Sequence, residues 1–238
     1  MGEPIFLKKV FRQKEQTFVD MLNEMRFGKL NPDTIDRFYK LSRPVTYTDG
    51  IEPTGLYSTR MEVNAANMDR LRRLPGPGKV YQARDRSGID SKGKHVSEKT
   101  MDELLEKRTI APKDIELRIG AQVMLIKNLV QGVLVNGSVG NVTAFRTPLE
   151  AHHERMAIAG VQPPEPGMSL GAREKEKFDR AKELQWPVVR FANGRELLCI
   201  PAEFTVENAD GGMEAAREQV SANRRTENGV AREGKRRG

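Results

Sequence analysis

Residues 117–142 read "LRIGAQVMLIKNLVQGVLVNGSVGNV", and this stretch decides the fold class of the region around it. Asn136-Gly137 stands between two apolar runs, which is typical of a β-hairpin turn. A phosphate-binding loop is the alternative, but it also needs a lysine and a following hydroxyl residue, and "NGSVGN" has neither in place. We therefore interpret Asn136-Gly137 as a turn and Gly140 as a close-packed or kinked position in the next strand.

The β-rich character extends over residues 115–145 and returns over residues 186–204. Asn193-Gly194 lies between two apolar runs and predicts a second hairpin. Several short strands separated by turns at these intervals predict a small β-barrel. The residues between the two regions are rich in proline and glycine and then in charge, so we interpret them as an insertion within the barrel.

Before the β-rich region the chain favours helices. In "EQTFVDMLNEMRFGK" (residues 15–29) the apolar residues recur at spacings of three and four, which predicts an amphipathic helix that Gly28 can end. Asn31 and Pro32 then predict the cap and first position of a second, shorter helix. Further on, "LPGPGKVYQARDRSGIDSKGK" predicts a loop with one short strand, and Met101 to Lys107 a brief helix.

A strand, a cap and a helix are predicted around residue 59. The apolar run Gly55 to Tyr57 is consistent with a buried strand, and Thr59 and Glu62 have the spacing of a capping box. Asn67 then shares a helical stripe with three apolar residues. An asparagine in that position is either a hydrogen-bonded core residue or a ligand contact at the rim, and periodicity favours the former. The full stripe is Val63, Asn67, Leu71 and Leu74.

Composition and charge narrow the class of protein. Of the 238 residues 37% are hydrophobic, which is low but sufficient for a core. No stretch approaches the roughly 20 apolar residues of a membrane helix, and no signal peptide is present, so we expect an intracellular protein without a membrane partner. The net charge is +7, of which the segment from Ser221 onward supplies +4 (six Lys/Arg, two Glu). That basic end, residues 221–238, is predicted to be disordered.

No catalytic or metal-binding set of side chains is visible. His152 and His153 are adjacent, so they point in different directions on a helix, and no third ligand stands at metal-binding spacing. We predict surface histidines and no metal site. Cys199, the single cysteine, lies in the apolar run "ELLCI" and is interpreted as a buried thiol.

Three blocks together resemble a known family: "VFRQKEQTFVDMLNEMRFGKL", "GLYSTRMEVNAANMDRL" and the stretch quoted first. They are similar to the C-terminal half of fungal ATP-dependent DNA helicases of the petite-integration-frequency (PIF-type) family. These are RecD-like enzymes of superfamily one that move 5′ to 3′ on single-stranded DNA. The resemblance covers about residues 5–220, and "GAQVML.KN" followed by "LVNGS.G.V" is its most specific part.

The resemblance implies an α/β fold in which a small SH3-like barrel is inserted into a RecA-like domain. The implied boundaries are a partial second RecA-like domain at 5–110, the SH3-like 2B barrel at 115–205 with an insertion at about 147–185, a return to the RecA-like domain at 206–220, and the disordered basic tail at 221–238.

The resemblance also implies site residues. Arg12, in "VFRQ", matches the arginine of the fourth helicase motif, which reaches the γ-phosphate of ATP; a fixed guanidinium stabilises charge on a transferring phosphoryl group. Thr59, Arg60 and Asn67 match polar positions of the segment that runs beside DNA. Such groups suit backbone phosphates, although Thr59 is equally explained as a helix cap.

In the barrel, Lys127 and Asn128 are the candidate DNA-facing residues. Where the family usually has proline before the threonine, this chain has Ser58, which makes that loop less rigid.

The chain starts just before the fourth motif, so the ATP-binding RecA-like domain is expected to be missing. ATP and Mg²⁺ serve the intact family enzyme, and none is expected to bind this chain alone. After "MEAAREQV" the family's apolar strand and "HKSQG"-like motif are replaced by a polar, basic end, which we expect to be unable to replace a central strand.

Two functions follow from these observations. The first is a fragment of an ATP-dependent DNA helicase of the nucleus or mitochondrion, serving telomere maintenance, DNA repair and recombination and inactive alone. The alternative is a non-catalytic module that binds single-stranded DNA or another protein.

Overall fold

The computed structural model describes residues 10–11, 13–46, 51, 55, 57–129, 133–161 and 183–224. The chain divides into two compact units, Met1–Tyr47 and Thr48–Gly238. Within the described ranges, no helix combines the length and apolar character required to cross a membrane.

Two helices make up the described part of the first unit, α1 (Gln16–Phe27) and α2 (Pro32–Leu41). Gly28 ends α1 in the left-handed conformation at φ 66°, which glycine adopts without a steric penalty. Asn31 begins α2, because its Oδ1 accepts a hydrogen bond from the Thr34 amide at 2.8 Å. Both helices predicted from the sequence are confirmed.

The second unit is mixed α/β, as predicted. Its described elements are α3 (Arg60–Arg73), β1 (Lys79–Gln82), β2 (Arg84–Ser87), α4 (Glu98–Arg108), β3 (Asp114–Leu117), β4 (Gln122–Leu125), β5 (Val139–Arg146), α5 (Pro148–His153), β6 (Ala157–Ile158), β7 (Trp186–Phe191), β8 (Glu196–Leu198), β9 (Pro201–Glu207), β10 (Met213–Val220) and β11 (Ala222–Arg224). The strands form one sheet of six, one of three and one of two.

The six-stranded sheet has the order β11-β4-β5-β7-β8-β6, and all neighbours are antiparallel except β6 and β8. The turn between β4 and β5 contains Asn136-Gly137, with Gly137 at φ 93°, and the turn between β7 and β8 contains Asn193-Gly194, with Gly194 at φ 80°. Both predicted hairpin turns are therefore confirmed, because each needs a positive φ that glycine supplies.

Gly140 is close-packed, as predicted. A Cβ atom at this position would lie 2.5 Å from the Arg190 carbonyl oxygen and 2.8 Å from a methyl carbon of Val189. Because both atoms belong to the neighbouring strand β7, only glycine lets β5 and β7 approach this closely.

The main apolar core lies on the six-stranded sheet. Its fully buried residues include Leu117, Val123, Leu125, Val189 and Leu198. All five lie within the β-rich regions 115–145 and 186–204 that the sequence pattern predicted.

The three-stranded sheet, β2-β10-β9, packs against α4 around a smaller cluster. That cluster consists of Val96, Met101, Leu105, Val206 and Ala215. The two-stranded sheet pairs β1 with β3 in antiparallel register. The short helix predicted at Met101 to Lys107 is confirmed as part of α4, whereas the single strand predicted before it is in fact two strands, β1 and β2.

The expected closed barrel is not formed by the described strands. The six-stranded sheet is open, with β11 and β6 at its edges. The reason is that β9, which follows β8, leaves this sheet and pairs with β10 in the three-stranded sheet.

The predicted disordered tail is wrong for its first residues. Ala222, Asn223 and Arg224 form β11 and pair antiparallel with β4, and Ser221 is fully buried. The first of the six Lys/Arg residues of the tail is Arg224. The three residues before it, Ser221, Ala222 and Asn223, are small and uncharged, and all three are buried. Residues 225–238 lie outside the described part of the chain. The predicted strand at Gly55 to Tyr57 falls partly outside it as well; Gly55 and Tyr57 are half-buried and not in a strand.

Candidate nucleic-acid interface

Thr59 caps α3 through a complete capping box. Its Oγ1 accepts from the Glu62 amide at 3.3 Å, and the Thr59 amide donates to the Glu62 carboxylate at 3.0 Å. The hydroxyl also donates to that carboxylate at 3.0 Å. The cap explanation of Thr59 is thus confirmed, and the residue remains exposed at the N-terminus of the helix.

Arg60 is the first residue of α3, and its side chain lies outside the described part of the structure, as does the whole of Arg12. Positions 60 and 67 are two helical turns apart on one face of α3, about 10 Å along its axis. The backbone of α3 therefore brings these two predicted positions to the same side.

Asn67 is half-buried on α3, between Val63 and Leu71, which are both buried. Its side chain makes no hydrogen bond to another described residue. A core asparagine would be buried and satisfied, so the placement fits the rim of the helix's apolar face better than its interior.

Lys127 and Asn128 follow β4 and are both exposed. The Lys127 ammonium donates to the Glu203 carbonyl and lies 5.4 Å from the centroid of the Phe204 ring. The Asn128 Oδ1 accepts from the Asn136 amide at 2.7 Å. The Lys127 contact joins the end of β4 to β9, and the Asn128 contact joins the two ends of the connection between β4 and β5.

A buried ion pair that sequence reasoning missed connects β10 to β2 and to the residues that follow α4. Arg217 is 1% exposed and binds the Asp85 carboxylate through two nitrogens, at 2.8 and 2.7 Å. It also donates to the Ala111 carbonyl at 2.9 Å and lies 3.4 Å from a Glu106 oxygen. The hydrogen bonds to Asp85 raise the pKa of Arg217. The sequence of β10, "MEAAREQV", does not alternate between apolar and polar residues, so it gives no local signal that Arg217 is buried.

Cys199 is fully buried, and this burial raises the pKa of its thiol to about 12. A neutral thiol of this kind is a weak nucleophile and a poor metal ligand. The interpretation of Cys199 as a structural residue agrees with its position beside β8.

A metal centre is not supported in the described part of the chain. No group of three or more His, Cys, Asp and Glu side chains there is placed to hold an ion. His152 and His153 lie exposed on α5 with their rings 6.4 Å apart. Imidazole side chains of this kind are not the oxygen ligands that Mg²⁺ prefers.

Comparison with known proteins gives a consistent result. Residues 102–145 match the family model described as the 2B domain of DNA helicase Pif1. The chain is 37% identical over 231 residues to an ATP-dependent DNA helicase PIF1 of Emericella nidulans, covering 91% of this chain and 30% of the relative. A PIF1 helicase of Saccharomyces cerevisiae is 41% identical over 186 residues, covering 74% of this chain and 20% of the relative.

The fold agrees with this likeness. The crystal structure of Pif1 helicase from Candida albicans matches with a TM-score of 0.64 and 31% identity, over 95% of this chain and 47% of that chain. The described elements thus have the arrangement of a segment of a helicase. The chain belongs to the Pif1 helicase family, and it spans less than a third of the length of the two curated relatives.

Proposed function

We propose that this chain is the part of an ATP-dependent 5′ to 3′ DNA helicase that grips single-stranded DNA and completes the ATP site of another domain. The observation that carries the proposal is the match to the Candida albicans Pif1 helicase fold over 95% of the chain. The proposed domains are a partial second RecA-like domain at 5–110, an SH3-like 2B domain at 115–205 and a return to the RecA-like domain at 206–220. The intact enzyme would act in the nucleus or mitochondrion, in telomere maintenance, repair and recombination.

The chain is proposed to be inactive alone. The sequence has no GxxxxGK[ST] loop, and the described residues offer no metal site. ATP and Mg²⁺ would be held by a first RecA-like domain, which would supply the phosphoryl group. Arg12 would then reach the γ-phosphate from this chain and stabilise the charge that develops on it.

Helix α3 is proposed as the main DNA contact. Thr59 and Arg60 lie at its N-terminus, where the helix dipole favours a phosphate, which would compete with the Glu62 carboxylate that bonds the Thr59 amide. Asn67 lies two turns further along the face of position 60, and its half-buried amide has donors for a second point on the strand. Contacts of this kind are independent of base sequence.

Lys127 and Asn128 are proposed as a second, weaker contact. Both are exposed, and the lysine ammonium carries three donors. Because Lys127 also holds β9 and Asn128 also holds the turn before β5, their substitution is expected to affect structure and DNA binding together.

The test is a titration of the purified chain with a fluorescein-labelled oligo(dT) at several salt concentrations. Arg60→Ala should lower the affinity and reduce the salt slope by about 0.7, the value for one phosphate contact on a single strand. Asn67→Ala should weaken binding about fivefold, as expected for one hydrogen bond, with an unchanged slope. Matched controls on the same helix are Arg72→Ala and Asn64→Ala, which remove an exposed guanidinium group and an exposed amide group.

A substitution at Thr59 distinguishes its role as the cap of α3 from its proposed contact with DNA. Thr59→Asn keeps a good cap whose side chain can still donate to the Glu62 carboxylate, but it removes the hydroxyl, so DNA affinity should fall while the free energy of unfolding is unchanged. If Arg60→Ala and Asn67→Ala bind DNA as tightly as their controls, the assignment of α3 as the DNA contact is wrong. ATP hydrolysis by the purified chain would contradict its proposed inactivity.

A further inference from the structure

Strands β1 and β2 are two halves of one bent strand whose partners lie on opposite edges. The Ala83 amide donates to the Lys113 carbonyl at 2.7 Å, which continues the pairing of β1 with β3. The Gly88 amide donates to the Glu214 carbonyl at 2.9 Å, which continues the pairing of β2 with β10. Along a β-strand, the N–H and C=O groups of successive residues point to opposite edges. In β1 the N–H and C=O groups of the odd-numbered residues therefore point toward β3. Those of the even-numbered residues point toward the edge on which β10 pairs with β2.

The pairing with β10 stops before it reaches β1. Continuing the register would bond Val220 to Gln82, but the Val220 amide instead donates to the side-chain Oε1 of Gln219 at 2.8 Å. The side-chain Nε2 of Gln219 donates to the Tyr81 carbonyl at 3.1 Å. Beyond this point the chain enters β11, which pairs with β4. Within the described part of the chain, no backbone group pairs with Val80 or Gln82 on this edge.

The unpaired edge opens into a cleft of about 640 Å³. One wall is apolar: Tyr81 stacks on Trp186 with ring centroids 5.2 Å apart, and Leu184 and Pro201 lie beside them. Val80, on the edge itself, is 61% exposed. The cleft thus offers unpaired backbone groups and exposed apolar surface together, the two features that an extended peptide uses.

The charges around the cleft favour an acidic partner. Lys79 and Arg84 line it, and Glu218 is the one carboxylate among its described lining residues. Glu218 is the cross-strand neighbour of Arg84, and the Lys79 ammonium is held by the Gln185 side chain at 2.5 Å. Among the described lining residues, one positive charge is therefore in excess.

We propose that this cleft binds an extended acidic segment of a partner protein, which adds as a strand to the free edge of β1. The backbone of the segment pairs with Val80 and Gln82, an acidic side chain lies near Arg84, and an apolar side chain packs on Leu184 and Pro201. A nucleic acid suits the cleft less well. Tyr81 and Trp186 are each 7% exposed because they stack on one another, so their faces are not available to bases.

The probe is a fluorescein-labelled octapeptide of alternating glutamate and valine, added to the full chain and followed by fluorescence anisotropy. Two matched peptides serve as controls: the same sequence N-methylated at alternate residues, and a lysine-valine octapeptide. The unmodified acidic peptide should bind at least about fivefold more tightly than either control. N-methylation removes hydrogen-bond donors from the first control, and lysine reverses the charge of the second. Arg84→Glu should weaken its binding, and Arg72→Glu, an exposed arginine elsewhere on the unit, should not.

Amide hydrogen exchange measured by NMR provides a readout that does not depend on a variant. In the free protein the amides of Val80 and Gln82 should exchange quickly and that of Tyr81 slowly, and the peptide should slow the first two by about tenfold or more. Val80→Pro removes a donor on the free edge without removing a bond to β3, so it should weaken binding while Tm is retained.

Four outcomes would overturn the proposal. Two concern the peptides: the acidic peptide does not bind, or the N-methylated peptide binds equally well. Two concern hydrogen exchange: the amides of Val80 and Gln82 are already protected in the free protein, or their protection rises with protein concentration. The last result would indicate that a second copy of the chain occupies the edge. Competition by oligo(dT) that depends on Arg84 would assign the cleft to nucleic acid instead. None of these results bears on the DNA contacts proposed for α3, which the Arg60 and Asn67 variants test separately.

Discussion

The two apolar clusters of the larger unit are stabilised in different ways. Among the residues that the structure describes, the cluster on the six-stranded sheet contains 21 buried residues, whereas the one between α4 and the three-stranded sheet contains five. The small cluster is accompanied by the buried Arg217 and its bonds to Asp85 and Ala111. Where little apolar surface is available, a polar network connects the elements, and its removal leaves charges unpaired rather than a cavity.

The largest expected effect therefore lies in the small cluster. Arg217→Met leaves the Asp85 carboxylate, whose side chain is 10% exposed, without its partner. We expect the free energy of unfolding to fall by about 3 to 5 kcal/mol, the usual cost of breaking a buried pair. Urea unfolding followed by circular dichroism measures it.

Arg86→Met is the control for this substitution, because Arg86 makes an exposed ion pair with Glu203 and should lose less than about 1 kcal/mol. The double variant Arg217→Met, Asp85→Leu removes both charges and should recover much of the loss. Equal losses for Arg217→Met and Arg86→Met would show that the network is not what stabilises this region.

An apolar truncation in the large cluster is the next effect in size. Leu125→Ala removes a fully buried side chain from β4 and should cost about 3 kcal/mol, from lost burial and the cavity left behind. Leu149→Ala, at an exposed position of α5, should cost less than about 0.5 kcal/mol. A small loss for Leu125→Ala in urea unfolding would mean that the sheet core collapses around the cavity, and that apolar packing at this position is not what stabilises the large cluster.

The smallest effect concerns the one titratable thiol of the large cluster. Burial raises the pKa of Cys199 from 9.0 to about 12, so the folded state keeps a proton that the unfolded chain loses as pH rises above about 9. Stability should be unaffected below the unfolded pKa and should fall by about 1 kcal/mol between about pH 8 and about pH 9.7. The decline should be absent from Cys199→Ala. A decline of the same size in the variant would assign it to other groups.

The hairpins, helices and most of the large core were predictable because they depend on local rules. Asn136-Gly137 and Asn193-Gly194 need only a positive φ between two apolar runs, and Thr59 with Glu62 needs only the spacing of a capping box. The open sheet was not predictable, since β9 joins β10 rather than closing a barrel, and this choice depends on contacts between distant residues. The start of β11 was missed because the composition of the whole tail concealed three small residues at its beginning.

The candidate site was likewise predictable only where it depends on local sequence. The sequence places Thr59, Arg60 and Asn67 on one helix, because helical periodicity fixes their relative positions. It does not place Lys127 against Glu203 and Phe204, a contact between residues 76 positions apart. Arg12 and the side chain of Arg60 remain predictions.

The sequence by itself determined the family, the helix caps, the hairpin turns and the apolar strands, since each is a property of a short segment. Only the tertiary structure decided that Arg217 is buried against Asp85, that β11 enters the large sheet, and that Gln219 ends the β10 ladder so that the edge of β1 stays open. These features join residues about a hundred positions or more apart, and such pairings are selected by the packing of the whole unit rather than by local preference.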